Sequence, residues 1–181
     1  MAAAIGLLEL KSIPIGLETA DAVLKQADVT LLQASPACPG KYVIVFTGDV
    51  GAVRSAMEAG TAAGGAYLLA HHLISSVHPA VPPAIVGTAS AEAVQALGMV
   101  ETMSALTAIR AGDAAAKAAD VTLLDIRVAR GLGGKGYVLL TGGIAAVNAA
   151  VGAVKEELAD TGELVSACVI PSPHEDLIAH L

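Results

Sequence analysis

The sequence predicts an α/β (α+β) protein made of two tandem copies of one βαββαβ unit, and three observations carry that expectation. Residues 5–32 and 97–124 align at a constant offset of 92. Twelve of those 28 positions are identical, including Gly6/Gly98, Glu9/Glu101, Asp21/Asp113, Lys25/Lys117 and the run Ala27 to Leu32 against Ala119 to Leu124. Within each copy, short apolar runs suited to strands alternate with helix-length stretches, and Gly and Pro punctuate them. The chain has 181 residues, of which 55% are hydrophobic but only 2% aromatic. Small apolar side chains let layers approach closely, so thin, tightly packed layers are expected, with some faces buried against other subunits.

The elements follow in order. An apolar strand opens each copy, at Ala3–Leu10 and Ala96–Thr102. A short helix comes next, Ile15–Gln26 and Thr107–Ala118, with Lys25 or Lys117 near its C-terminal end, where the helix dipole favours a cation. The segments VTLLQAS and VTLLDIRVA are rich in residues that fit a pleated surface. A Gly-containing loop then leads to a third strand, YVIVFTG or YVLLTG. A longer helix begins near Asp49 or Gly143, with Asp49 placed as an N-cap. A last strand, about Tyr67–Val77 or Leu164–Ile170, runs into proline, and a short terminal helix follows. Val86–Ala93 reads as the linker, giving domains at 1–88 and 94–181. The βαββαβ order implies antiparallel sheets with helices on one face.

Composition excludes several classes. A net charge of −7 argues against nucleic acid and anionic membrane as partners. No basic, then apolar, leader opens the sequence. Gly136 to Val154 is long and uncharged enough to span a bilayer, but its Gly-Gly break after YVLLT makes a strand followed by a helix the better reading. Two cysteines without framework spacing fit a reducing compartment.

The two copies differ most sharply in one loop: SPACPGK, with Cys38, in the first and RGLGGKG in the second, which aligns as two residues longer. Pro39 and Gly40 set a turn, so Cys38 is expected to be exposed. Cys168 lies in the apolar LVSACVIP and is expected to be buried. Gly131 to Lys135, GLGGK, lacks the spacing and the Ser/Thr of a phosphate loop. His71 and His72 are adjacent on a strand and point to opposite faces. No nucleophile–base–acid set or paired carboxylate site is visible, so no enzyme is expected.

Gly-Leu-Leu-Glu near the N-terminus, Ala-Asp-Ala-x-x-Lys-x-Ala-x-Val-Thr-Leu at the helix end, the Gly-Lys loop and Pro-x-Pro-His near the C-terminus together resemble the bacterial microcompartment shell domain, twice. The chain is thus similar to tandem-domain shell proteins. Cys38 in its CPGK loop, Val77-His78-Pro79 and VIPSPHE bring it nearest to the iron–sulfur-binding type of propanediol-utilisation microcompartments. The resemblance implies ferredoxin-like domains that assemble as a homotrimer, a pseudohexamer that tiles shell facets in the cytoplasm beside other shell proteins. It implies pore-lining residues Ala37, Gly131, Leu132, Gly133 and Gly134, and edge lysines Lys25 and Lys117 packed across the seam between oligomers. It further implies that Cys38 from three subunits holds one [4Fe–4S] cluster per trimer, since such a cluster wants three or four thiolates and one chain offers one. Pro39, Gly40 and Lys41 would flank it, Lys41 offsetting its negative charge, and electrons would cross the shell toward an encapsulated redox enzyme. Ser172 stands where many shell domains carry an edge Arg. The readings set against this one are a cluster-free tile with a metabolite pore and a ferredoxin-like regulator that binds a small molecule.

Overall fold

The computed structural model describes residues 3–91, 93–128 and 131–181. The first repeat comprises β1 (Ala3–Leu10), α1 (Ile13–Gln26), β2 (Thr30–Ala37), β3 (Lys41–Asp49), α2 (Val50–Gly64), β4 (Leu68–Ile74) and α3 (Val81–Val86). The second comprises β5 (Ala96–Thr102), α4 (Ala105–Ala118), β6 (Thr122–Val128), β7 (Gly136–Gly142), α5 (Ile144–Leu158), β8 (Leu164–Ile170) and α6 (Glu175–Ile178). Each builds a four-stranded antiparallel sheet, ordered β2-β3-β1-β4 and β6-β7-β5-β8. The predicted βαββαβ units are therefore present in both halves.

Two compact units emerge from the packing. One takes in residues 1–82 together with 129–134, and the other takes in 83–128 and 135–181. The loop before β7 thus belongs with the first repeat's body, although its sequence belongs to the second repeat.

Register explains the core of the first unit. Ala4, Leu8 and Leu10 alternate along β1, and Tyr42, Ile44 and Phe46 along β3, so all six present one face. That face packs on Ala20 and Val23 of α1 and on Val53, Ala56 and Met57 of α2. Both first helices begin two residues earlier than their apolar periodicity suggested, because Ser12 and Ser104 take the N-cap position. Only Ser104 accepts a bond there, from the Thr107 N–H, since Pro14 alters the first turn of α1. Asp49 holds the N-cap position of α2 without a side-chain cap bond. The last strand of the first repeat is shorter than expected, ending at Ile74 before the prolines.

The repeats solve one packing problem in complementary ways. The Tyr42 ring lies over Gly16, where a Cβ has no room. The equivalent positions hold Gly136 and Ala108, so the large residue has become glycine and the glycine alanine. A Cβ on Gly136 would stand 2.7 Å from Ala108 Cβ and 3.0 Å from the Arg127 carbonyl oxygen, neither of which can swing away. Gly136→Ala is therefore expected to destabilise the second unit by about 2 kcal/mol, the usual scale of overpacking, read as a lowered melting temperature with unchanged far-ultraviolet dichroism.

Candidate functional site

The most distinctive surface feature is the turn between β2 and β3. Ala37, the last residue of β2, has a buried side chain, so its contribution to any rim is backbone. Cys38, Pro39 and Gly40 are exposed, with Gly40 at φ +69°, a conformation that suits glycine. The thiol of Cys38 is free. Lys41 opens β3, and its Nζ donates to Glu9 Oε1 at 2.9 Å. Glu9 is buried on β1, so Lys41 neutralises a carboxylate inside its own sheet. Lys41, expected to supply counter-charge at the Cys38 turn, is thus held beside Glu9 by the pairing of β1 and β3.

The second repeat's loop carries Gly131 and Gly133, exposed and at φ +72° and +62°, the half-buried Leu132, and Gly134, buried and at φ +96°. A Cβ on Gly134 would lie 3.3 Å from the Cys38 carbonyl oxygen and 3.5 Å from Pro39 Cδ. Of the expected pore residues, Gly134 is thereby placed beside the Cys38 turn, within the first unit. Strand register confirms that this loop is the longer: Gly6 pairs with Phe46, but Gly98 pairs with Leu140.

Lys135 repeats the pattern of Lys41, donating to Glu101 Oε1 at 3.1 Å, while Ser166 Oγ lies 3.4 Å from Glu101 Oε2. This pair is much more exposed than its counterpart. On the same sheet Asp125 Oδ2 accepts from Tyr137 Oη at 3.0 Å and from Arg127 Nη2 at 2.8 Å. Burial first, then the bond to Asp125, pushes the Tyr137 phenol above its ordinary range. The hydrogen bond to Asp125 holds the Arg127 guanidinium above its own.

Met99, Glu101, Tyr137, Ser166, Ala167 and Cys168 line a shallow pocket of about 290 Å³ on this open face. Cys168 is exposed, which corrects the expectation of burial. It sits on an edge strand opposite Met99, on the face away from Gly98 and the α5 residues Val147 and Val151. An apolar run on an edge strand does not by itself imply two covered faces. The sequence reading missed this pocket. Its signal was the repeat comparison, since its lining residues Met99 and Tyr137 stand where the first copy has Leu7 and Val43.

Lys25 and Lys117 end α1 and α4, each paired with an Asp four residues earlier, Asp21 and Asp113. His71 and His72 lie on opposite faces of β4, across from Leu8 and Leu7. Among the described residues no three His, Cys, Asp or Glu side chains gather to hold a metal. No described helix is long and apolar enough to cross a membrane.

The pattern of the BMC domain matches residues 4–77 and again 96–173. The chain belongs to the BMC-domain family. This BMC-domain chain is 44% identical over 177 residues to the bacterial microcompartment shell protein PduT of Citrobacter freundii, covering 98% of this chain and 96% of that one. It is 30% identical to the carboxysome assembly protein CcmO of Synechococcus elongatus, over 99% of this chain and 69% of the relative. A crystal structure of a microcompartments protein from Desulfitobacterium hafniense DCB superposes with TM-score 0.96 at 43% identity, covering 99% of both chains. The fused permuted hexameric shell protein MSM0275 of the RMM microcompartment superposes at TM-score 0.60 and 28% identity, over 88% and 83%. The BMC-domain protein described here is thus a structural component of a bacterial microcompartment shell, not an enzyme.

Proposed function

We propose that three copies of this chain close into a pseudohexameric tile and that the Cys38 turns meet at its axis to hold one [4Fe–4S] cluster, through which electrons cross the shell. Support for the ring comes from positions that the duplication makes equivalent. Ile13, Leu17 and Leu24 on α1 are 43%, 64% and 44% exposed, whereas Ala105, Ile109 and Ala116 on α4 are 0%, 0% and 8% exposed. The sheets reverse the inequality. Leu7 and Val43 of the first are fully buried, while Met99 and Tyr137 of the second are only half-buried beside the open pocket. An unpartnered apolar helix stripe and an unpartnered sheet face on one chain suit a head-to-tail contact with the next copy, and a contact of that kind gives a ring when its rotation closes.

The single observation that carries the cluster reading is the exposed, free Cys38 thiol on a turn beside the second loop. One thiolate per chain cannot hold a cluster, but a threefold axis gathers three. The bound cluster would supply one-electron chemistry. The chain's own contribution is to present Cys38, to crowd it with backbone from Pro39, Gly40 and the glycine loop, and to keep bulky side chains away. Other shell proteins would meet the tile at Lys25 and Lys117, and an enclosed redox enzyme would exchange electrons with it.

Anaerobically purified wild type, compared with Cys38→Ser, tests this directly. The expected result is absorbance near about 400 nm with roughly one cluster per three chains in wild type, both lost in the variant. A colourless wild-type trimer after reconstitution with iron and sulfide would leave a tile with a thiol-lined metabolite pore.

A further inference from the structure

We infer that the glycine loop of the second repeat is part of the device that positions Cys38, and that Gly134 is its positioning residue. The turn is anchored at both ends, by the buried Ala37 and by Lys41 on Glu9, but neither anchor fixes Cys38 itself. The backbone of Cys38 and the ring of Pro39 instead lie against Gly134, in the same compact unit. Three glycines of this loop have positive φ, yet they serve different needs. Around Gly131 and Gly133 a Cβ would meet nothing within 4 Å, so glycine there answers only to backbone conformation. At Gly134 a Cβ would stand 3.3 Å from the Cys38 carbonyl oxygen, close enough that the turn must give by a few tenths of an ångström, and in ordinary contact with the Pro39 ring at 3.5 Å. The repeat-equivalent residue, Gly40, faces open space, so the close approach is special to the second loop.

A side chain at Gly134 displaces the Cys38 turn, and threefold symmetry repeats that displacement at each thiolate. A ligand set must hold its geometry to within about 0.5 Å, so even a small shift matters. The iron readout of this inference rests on the cluster reading above. Its thiol readout does not.

The test uses the full chain with Cys168→Ser, leaving Cys38 as the single thiol. Gly134→Asn and Gly133→Asn are compared, since both place a side chain at positive φ, +96° and +62°, but only the first places it beside the Cys38 turn. Gly134→Ala serves beside them should the Asn variant not fold. The reaction of metal-free protein with a disulfide reagent such as Ellman's is followed, then iron and sulfide after anaerobic reconstitution. In Gly134→Asn the Cys38 reaction rate is expected to change about fivefold or more and cluster content to fall by about half or more, with oligomer size unchanged. Gly133→Asn is expected to stay within about twofold of the parent in both. A parental rate in both Gly134 variants, or an equal change in Gly133→Asn, overturns the inference. If the parent itself takes up no iron, the cluster reading fails, and the thiol rates still decide the role of Gly134.

Discussion

Leu17→Asp is expected to convert the proposed trimer to single chains without unfolding them. Leu17 is 64% exposed in one chain, so the substitution costs the isolated fold no more than about 0.5 kcal/mol, as at most surface positions. In the proposed ring the same side chain would be buried against the next copy. Losing a buried leucine removes about 1.5–3 kcal/mol per contact. Burying a carboxylate in its place costs several kcal/mol more, so each contact weakens by two or more decades. The repeat supplies the control. Ile109 is the equivalent residue on α4 and is fully buried, so Ile109→Asp is expected to cost about 4 kcal/mol or more of folding stability. Sedimentation and melting curves on the two variants separate the outcomes: a smaller, folded particle for Leu17→Asp and an unstable chain for Ile109→Asp. A Leu17→Asp protein of parental size at micromolar concentration refutes the proposed contact.

The contrast between those two residues also shows what could be read from the sequence. The duplication fixed the element order, since Gly6/Gly98 and Ser12/Ser104 recur at one offset and the structure repeats strand for strand. Cys38 was placed correctly on an exposed turn, because Pro39 and Gly40 impose that geometry locally. What escaped was whatever depends on partners distant in sequence. Cys168 sits in an apolar run, yet its exposure is set by an edge strand and an open sheet face. Lys41 follows the Cys38 turn by three residues, yet its charge is spent on Glu9, 32 residues earlier, because β1 and β3 pair. The closeness of Gly134 to Cys38 is likewise tertiary, and no spacing announces it.

The two Lys–Glu pairs should respond unequally to the same substitution, which ties the Cys38 turn to the stability of its sheet. In the first repeat the Glu9 and Lys41 side chains are 6% and 28% exposed; in the second, Glu101 and Lys135 are 34% and 43% exposed. Glu9→Gln leaves an ammonium group largely shielded from water with no counter-charge, a loss of about 2–3 kcal/mol, below the 3–5 of a fully buried pair because Lys41 keeps some solvent. Glu101→Gln removes a pair that water already screens, at about 1 kcal/mol or less. For a chain of this size each kcal/mol shifts the melting temperature by about 2–4 °C, so the first variant should melt several degrees lower and the second barely move. Salt sharpens the difference, since near 1 M the screening length falls to about 3 Å. The small deficit of Glu101→Gln should vanish there, while that of Glu9→Gln persists. Glu9→Leu with Lys41→Met should recover most of the loss, because an apolar pair of similar volume has no charge to desolvate. Equal melting shifts in Glu9→Gln and Glu101→Gln would show that burial does not distinguish the pairs. Unequal shifts would identify the buried pair as the stronger clamp, on the strand that leaves the Cys38 turn.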